Sequence, residues 1–310
     1  MKSDPTFPNR VASIDIGTNT ILLLIARVEE GKIHPLFEIE TVTRLGEGIQ
    51  KNGILLKEAM NRGFQTLAQY LKWCQEREVK KIFAAGTSAL REAKNSEDFL
   101  TWVKEKLNLS IDIISGEEEA RLSFLAVAKD FGEVKKTIFV VDIGGGSTEF
   151  ILGKGDRIKQ WISLPLGSVR FTEEFLRSDP VQEEEWEMME RKIREHLVSI
   201  PHSQEPLSMV AVGGTATTLA SVEQGLEDFI AERIHHFVQE KEALKNQLLL
   251  YRSKTIQERR KIPGLPAARA DVILAGGTIL YLAMEELKCP SVLISCHGVR
   301  YGLLYKKLIL

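Results

Sequence analysis

VASIDIGTNTILLLIARV, from Val11 to Val28, and IFVVDIGGGSTEFILGKG, from Ile138 to Gly155, are two copies of one phrase. In each, a run of β-branched and aliphatic residues reads as a strand, ends on an Asp, turns through glycine and returns in a second apolar run. The product is a β-hairpin whose tip is crowded with backbone N–H groups. Gly17 in the first copy and Gly144, Gly145 and Gly146 in the second let the main chain turn tightly and approach a ligand closely. Thr18, Asn19, Thr20, Ser147 and Thr148 add side-chain donors, so both tips suit phosphate oxygens. Asp15 and Asp142 repel phosphate, and their expected use is to hold a hydrated divalent cation that the phosphates share. A single copy is an ordinary strand-end turn. Two copies this far apart imply two related lobes of α/β class rather than a solenoid, whose periods are much shorter.

With 310 residues, 44% hydrophobic and 27% charged, the chain has material for two substantial cores and no signature of disorder. Its formal net charge of −2 gives no global basic field. A polyanionic ligand must then be met by a local basic cleft, by metal or by backbone dipoles, and duplex nucleic acid is not an expected partner. Cys74, Cys289 and Cys296 are scattered and odd in number, which fits reduced packing thiols rather than a disulfide frame or a zinc site. MKSDPTFPNR lacks the apolar segment of a signal peptide, and runs such as Ile21 to Ala26 are too short to cross a bilayer. No membrane partner is expected, and a cytoplasmic location is.

Outward from the first hairpin, Lys32 to Leu45 reads as further strand, RLGEGIQKNG as turns, and Leu56 to Glu78 as a helix. A strand from Lys81 to Ala85 leads through Gly86 and Thr87 into a helix or turn carrying Arg91. Asn95 and Asp98 mark a helix through Leu107, followed by the strand IDIIS and the helix EEEARLSFLAVAK. This alternation predicts a mixed sheet with crossover connections. The second lobe, beginning near Val134, repeats the plan: hairpin, extended stretch, acidic helix from Gln182 to Val198, strand SMVAVGG, helix from Thr215 and a mixed segment to Lys261. A helix from about Ala267 to Leu287, the strand SVLISC and the helix GVRYGLLYKKL complete it. The expected domains are residues 1–126 and 127–297, with a cleft facing both glycine-rich tips.

Several charged groups have plain structural explanations. EEEWEMMERKIREHL reads as a solvated amphipathic helix. His235 and His236 are adjacent, do not share a helix face and lack H-x-x-x-H spacing, so no zinc role is expected. Ser115 and Glu118 have capping-box spacing, and Glu117 suits a helix N-terminus. Glu118 and Glu119 both flank the face marked by Leu122 and Leu125, and the pattern does not choose which of them projects toward a ligand. Glu149 interrupts an apolar strand directly after a phosphate-cradling turn. With Asp142 it can complete a carboxylate set for Mg²⁺ or for orienting water.

VASIDIGTNT, GTSALREAKN, ISGEEEARL, VVDIGGGSTEF, AVGGTATTLA, ARADVILAG and SCHGVRYGLL, in that order over nearly the whole chain, resemble the exopolyphosphatase/guanosine pentaphosphate phosphatase (Ppx/GppA) family. The resemblance implies two ribonuclease H-like lobes of the actin, sugar-kinase and heat-shock chaperone superfamily closing around a phosphate chain, with the helix of residues 298–310 packed back on the first. It implies Glu119 as the base that activates water, Asp15, Asp142 and Glu149 as Mg²⁺ or water-positioning groups, and Arg91 as a phosphate contact. Gly17, Thr18 and Asn19, then Gly144, Gly145, Gly146, Ser147 and Thr148, then Gly213, Gly214 and Thr215 become three phosphate loops, the last at a helix N-terminus. Arg269 and Arg300 lie in further blocks, each equally readable as an ion-pair residue. Longer family members carry extra helical domains, so this chain resembles the short two-domain form. The implied substrates are inorganic polyphosphate or guanosine pentaphosphate. A monovalent cation such as K⁺, a nucleotide modulator and a homodimer are admitted alongside Mg²⁺. A phosphate-chain sensor without turnover is the alternative outside enzymology, and a sugar or acetate kinase is disfavoured by the ISGEEEAR block.

Overall fold

A computed structural model of the chain describes residues 10–132 and 136–309. The chain divides into two compact units, Met1–Leu122 with Val299–Leu310, and Ser123–Gly298. The division falls inside a helix, whereas the start of the second lobe read near Val134 lies outside the described residues.

The first unit is built on β1 (Arg10–Ile16), β2 (Thr20–Glu29) and β3 (Lys32–Val42), followed by α1 (Ile49–Asn52), α2 (Lys57–Glu76), β4 (Lys81–Gly86), α3 (Ser88–Glu92), α4 (Ser96–Leu107), β5 (Asp112–Ile113) and α5 (Gly116–Phe131). Its sheet has the order β3-β2-β1-β4-β5, with β1 antiparallel to β2 and parallel to β4. Alternation decides the faces. Ala12, Ile14 and Ile16 point into one core with Leu67 and Tyr70 of α2 and Phe99 and Val103 of α4. The opposite face of β1, carrying Ser13 and Asp15, receives the terminal helix, where Ser13 Oγ donates to the Arg300 carbonyl at 2.7 Å. The stretch read as turns contains α1, and Asn95 caps nothing with its side chain. It instead brackets Leu55, accepting from its N–H and donating to its carbonyl.

The second unit contains β6 (Thr137–Ile143), β7 (Thr148–Lys154), β8 (Arg157–Leu164), α6 (Ser168–Phe175), α7 (Glu183–Leu197), β9 (Leu207–Val212), α8 (Gly213–Glu223), α9 (Ala231–Ile234), β10 (Val238–Glu240), α10 (Lys241–Arg252), α11 (Ile256–Arg259), α12 (Ile273–Glu286) and β11 (Ser291–Ile294). The return helix α13 (Val299–Leu308) belongs to the first unit. The sheet order β8-β7-β6-β9-β11-β10 repeats that of the first unit and adds β10, antiparallel to β11, at the edge. Phe139, Val141 and Ile143 face a large core closed by Met189 of α7, Leu219 of α8 and Leu280 of α12. The long helix read from Ala267 is a 3₁₀ turn at Ala267–Arg269 followed by α12. No helix among the described residues is long and apolar enough to cross a membrane.

Each unit thus has ribonuclease H-like organisation: a three-stranded antiparallel meander extended by parallel strands, with helices on its faces. The same α/β plan is thus used twice in one chain.

Candidate active site

Both hairpins close alike. The Gly17 N–H donates to the Thr20 carbonyl at 3.0 Å, and the Gly144 N–H donates to the Ser147 carbonyl at 2.9 Å. A later segment of each unit then consumes the carbonyls of the tip. In the first unit the Thr18 carbonyl accepts from Gly46 N–H, and the Asn19 carbonyl accepts from both Thr43 and Arg44. In the second, Gly144 and Gly145 carbonyls accept from Ser168, Val169 and Arg170 at the start of α6, and Arg170 Nε donates to the Gly146 carbonyl at 2.8 Å. Gly167 permits this docking, since a Cβ there would collide with the Gly145 carbonyl. With the carbonyls tied back, the N–H groups remain: among the described residues those of Gly145, Gly146 and Ser147 donate to no main-chain oxygen. Thr18 Oγ1 and both polar atoms of the Asn19 side chain are buried without a hydrogen-bond partner among the described residues. A buried polar group costs roughly 1–3 kcal/mol when unsatisfied, so folding alone gives no reason to bury these two donor groups and the amide oxygen here.

The acidic groups fall into place by register. Asp142 stands directly opposite Glu149 in the β6–β7 pair, which puts both carboxylates on one face. Glu149 is buried, with Oε1 accepting from Ser147 Oγ at 3.0 Å and from Ser163 Oγ at 2.7 Å. Asp142 accepts a short hydrogen bond from Ser123 Oγ of α5. Burial pushes the Asp142 carboxyl above its ordinary range, and the Ser123 bond opposes that shift. Asp15 ends β1 in the equivalent place, with Leu22 opposite.

The two carboxylates at the start of α5 have different surroundings. Glu118 N–H donates to Ser115 Oγ, while the Glu118 carboxylate turns to Lys306 instead of completing a capping box. Glu119 is 7% exposed, and its Oε2 receives Arg91 Nη1 at 3.1 Å. The same Nη1 donates to the Ile114 carbonyl at 2.8 Å, so Arg91 is fixed at two points and fixes Glu119 in turn. Within the first unit this Arg–Glu pair is the role the structure shows for Arg91. Arg300, by contrast, is engaged by Glu38 at 2.6 Å, with Tyr301 donating to the same carboxylate, an ion-pair role within the first unit.

A third loop lies where β9 runs into α8. Gly213 takes φ +91, which favours glycine, and Val212 caps α8 without a side-chain bond, leaving the first-turn N–H groups of an 11-residue helix uncapped. Arg269 is buried against this end, and a Cβ on Gly214 would strike its guanidinium. A helix N-terminus favours anions, and the Arg269 guanidinium adds positive charge to the same end. Thr215 is buried in the same turn. Sequence reasoning missed Ser123, Ser163 and Gly167, each brought in by tertiary register rather than by motif spacing.

Comparison with known proteins identifies the family of the chain. The model of the Ppx/GppA phosphatase family matches residues 24–309. A bifunctional 3-dehydroquinate synthase/phosphatase from Fusobacterium nucleatum is 36% identical over 296 residues, 92% of this chain. The chain spans only 44% of that relative's length. The crystal structure of a Ppx/GppA family member from Aquifex aeolicus superposes with a TM-score of 0.82 at 34% identity, covering 97% of this chain and 98% of that one. An exopolyphosphatase from Cytophaga hutchinsonii superposes with a TM-score of 0.87 at 27% identity, covering 96% and 97%. Duplicated hairpins, an uncapped helix loop and a fixed Arg–Glu pair are therefore met in a chain that belongs to the Ppx/GppA phosphatase family.

Proposed function

We propose that this chain is an exopolyphosphatase, releasing terminal orthophosphate from inorganic polyphosphate by attack of water. The observation that carries the reading is the pair of tips whose carbonyls are tied back and whose N–H groups, with the unsatisfied Thr18 and Asn19 side chains, are left for an acceptor-rich ligand. Repeated phosphates offer many equivalent oxygens to such loops. The exopolyphosphatase among the structural relatives points the same way.

In this mechanism Glu119, oriented by Arg91, takes the proton of the attacking water. A P–O bond forms to the terminal phosphorus, the bridging P–O bond breaks, and the products are orthophosphate and a chain one phosphate shorter. The tip N–H groups and the α8 N-terminus with Arg269 hold the non-bridging oxygens, whose charge must be neutralised as the bond breaks. Asp142 and Glu149 fit Mg²⁺: two carboxylates side by side suffice for an ion that keeps several waters and takes its remaining oxygens from phosphate. When bound, Mg²⁺ supplies charge neutralisation for phosphate oxygens. Ser147 and Ser163 hold the Glu149 carboxylate for that task.

Orthophosphate release from medium-chain polyphosphate and from guanosine pentaphosphate, measured in parallel with Mg²⁺, tests the assignment. Glu119→Gln is expected to lower turnover on polyphosphate by about 10²–10⁴-fold while leaving binding largely intact. Faster release from the nucleotide would move the assignment to that substrate. Binding of polyphosphate without release from either would make the chain a sensor.

A further inference from the structure

Away from the phosphate loops, the second unit gathers four metal-ligating side chains from three places in the sequence. Asp130 lies near the end of α5, His235 and His236 follow α9, and His297 follows β11. We propose that Asp130, His235 and His297 bind a borderline divalent ion of the Zn²⁺ class, at a site separate from the proposed Mg²⁺ carboxylates.

The three side chains already have the spacing of metal ligands. One donor atom from each lies within 4.8 Å of the other two. His235 Nε2 is 3.3 Å and His297 Nδ1 is 3.5 Å from Asp130 Oδ1. An ion held at about 2.0–2.2 Å by nitrogen and oxygen in a tetrahedron separates its donors by roughly 3.3–3.5 Å, so these two distances match. Side-chain exposures of 11% for Asp130, 20% for His235 and 21% for His297 leave the donors sheltered but reachable. His236, 48% exposed and 2.8 Å from the other Asp130 oxygen, or water, can take the fourth position. Imidazole with a single carboxylate selects Zn²⁺, Cu²⁺ or Ni²⁺ over Mg²⁺, which prefers an all-oxygen shell.

One bond limits the affinity. The Cys296 N–H donates to His235 Nδ1 at 3.1 Å, which places the proton of the neutral ring on Nε2, facing Asp130. Coordination through Nε2 moves that proton to Nδ1 and breaks the Cys296 bond, with no net change in ring charge. The site therefore trades one hydrogen bond for the ion and is suited to reversible occupancy rather than to a permanent structural zinc. The adjacent-histidine spacing gave no hint of this, because Asp130 and His297 lie far away in sequence.

The test uses the full chain, stripped with a chelator and titrated with Zn²⁺ against a chromophoric competitor. One equivalent should bind, millimolar Mg²⁺ should not displace it, and His297→Ala and Asp130→Asn should each weaken it by at least about tenfold. Co²⁺ in place of Zn²⁺ should give a four-coordinate ligand-field spectrum without a thiolate charge-transfer band. That spectrum decides the matter on the unmodified protein if a variant fails to fold. Failure to bind, full affinity in His297→Ala, or a thiolate band would each overturn the site, the last by moving the ion to a cysteine.

Discussion

In the first hairpin Leu22 stands opposite Asp15; in the second, Glu149 stands opposite Asp142. The backbones are otherwise alike, down to the glycine N–H that closes each tip and the later segment that ties back its carbonyls. Main-chain geometry alone therefore makes the same glycine-closed tip twice, and the side chain one strand over decides whether the tip also carries a pair of carboxylates. The first tip keeps its unsatisfied side-chain donors, Thr18 and Asn19, where the second has Gly145 and Gly146. On this reading the first tip grips and the second activates.

The sharpest break in that division is Glu149→Leu, which makes the second hairpin like the first. Turnover on polyphosphate is expected to fall by about 10²–10³-fold or more, the scale of losing one preorganised electrostatic group at a transition state. The requirement for Mg²⁺, read from the ion dependence of orthophosphate release, should weaken with it. In the first tip, Asn19→Ala should chiefly raise KM, by roughly tenfold, because it removes hydrogen bonds of about 1.5 kcal/mol to a charged ligand. A kcat loss at Asn19 equal to that at Glu149 would erase the distinction between gripping and activating.

The duplication itself was legible, because strand, Asp, glycine turn and strand are local signals. The surroundings of Glu149 were not. Counted back from the Lys154 and Arg157 pair, the β7–β8 ladder would bring Ile162 opposite Glu149, but the register slips between Leu152 and Gly153 and brings Ser163 there instead. A one-residue bulge exchanges the faces of a strand, and nothing in the local sequence announces it. The different surroundings of Glu118 and Glu119 were similarly hidden. They depend on Arg91 and Lys306, which reach the first turn of α5 from α3 and α13.

Asp142→Asn separates function from stability. The folded protein holds the Asp142 carboxyl above its ordinary range through burial. A raised acidic pKa means that the ionised form is disfavoured on folding: stability is greatest below the unfolded pKa and is lost as pH rises toward the folded one. Without Mg²⁺ at neutral pH, Asp142→Asn should accordingly raise Tm, by roughly 2–4 °C for each kcal/mol relieved, while polyphosphate turnover falls. The gain should vanish below about pH 4, where the carboxyl is protonated in both states. A lowered Tm at neutral pH would mean that the Ser123 bond outweighs the burial.

The smallest effect comes from building the second tip's chemistry into the first. Leu22 is only half-buried, and its neighbours across the sheet are Asp15 on β1 and Glu40 on β3. Leu22→Glu would place three carboxylates in one row. Like charges directly opposite cost about 0.2–1 kcal/mol per pair, so a Tm loss of a few degrees is expected, shrinking with added salt. The informative arm is Mg²⁺ at constant ionic strength. If Mg²⁺ restores the lost stability more than a monovalent salt does, an Asp–Glu pair on this hairpin is enough to hold the ion. If it does not, the Ser163 hydroxyl, whose place opposite Leu22 is taken by Glu40, is what the first hairpin lacks. The decisive residue would then be Ser163 rather than the second carboxylate itself.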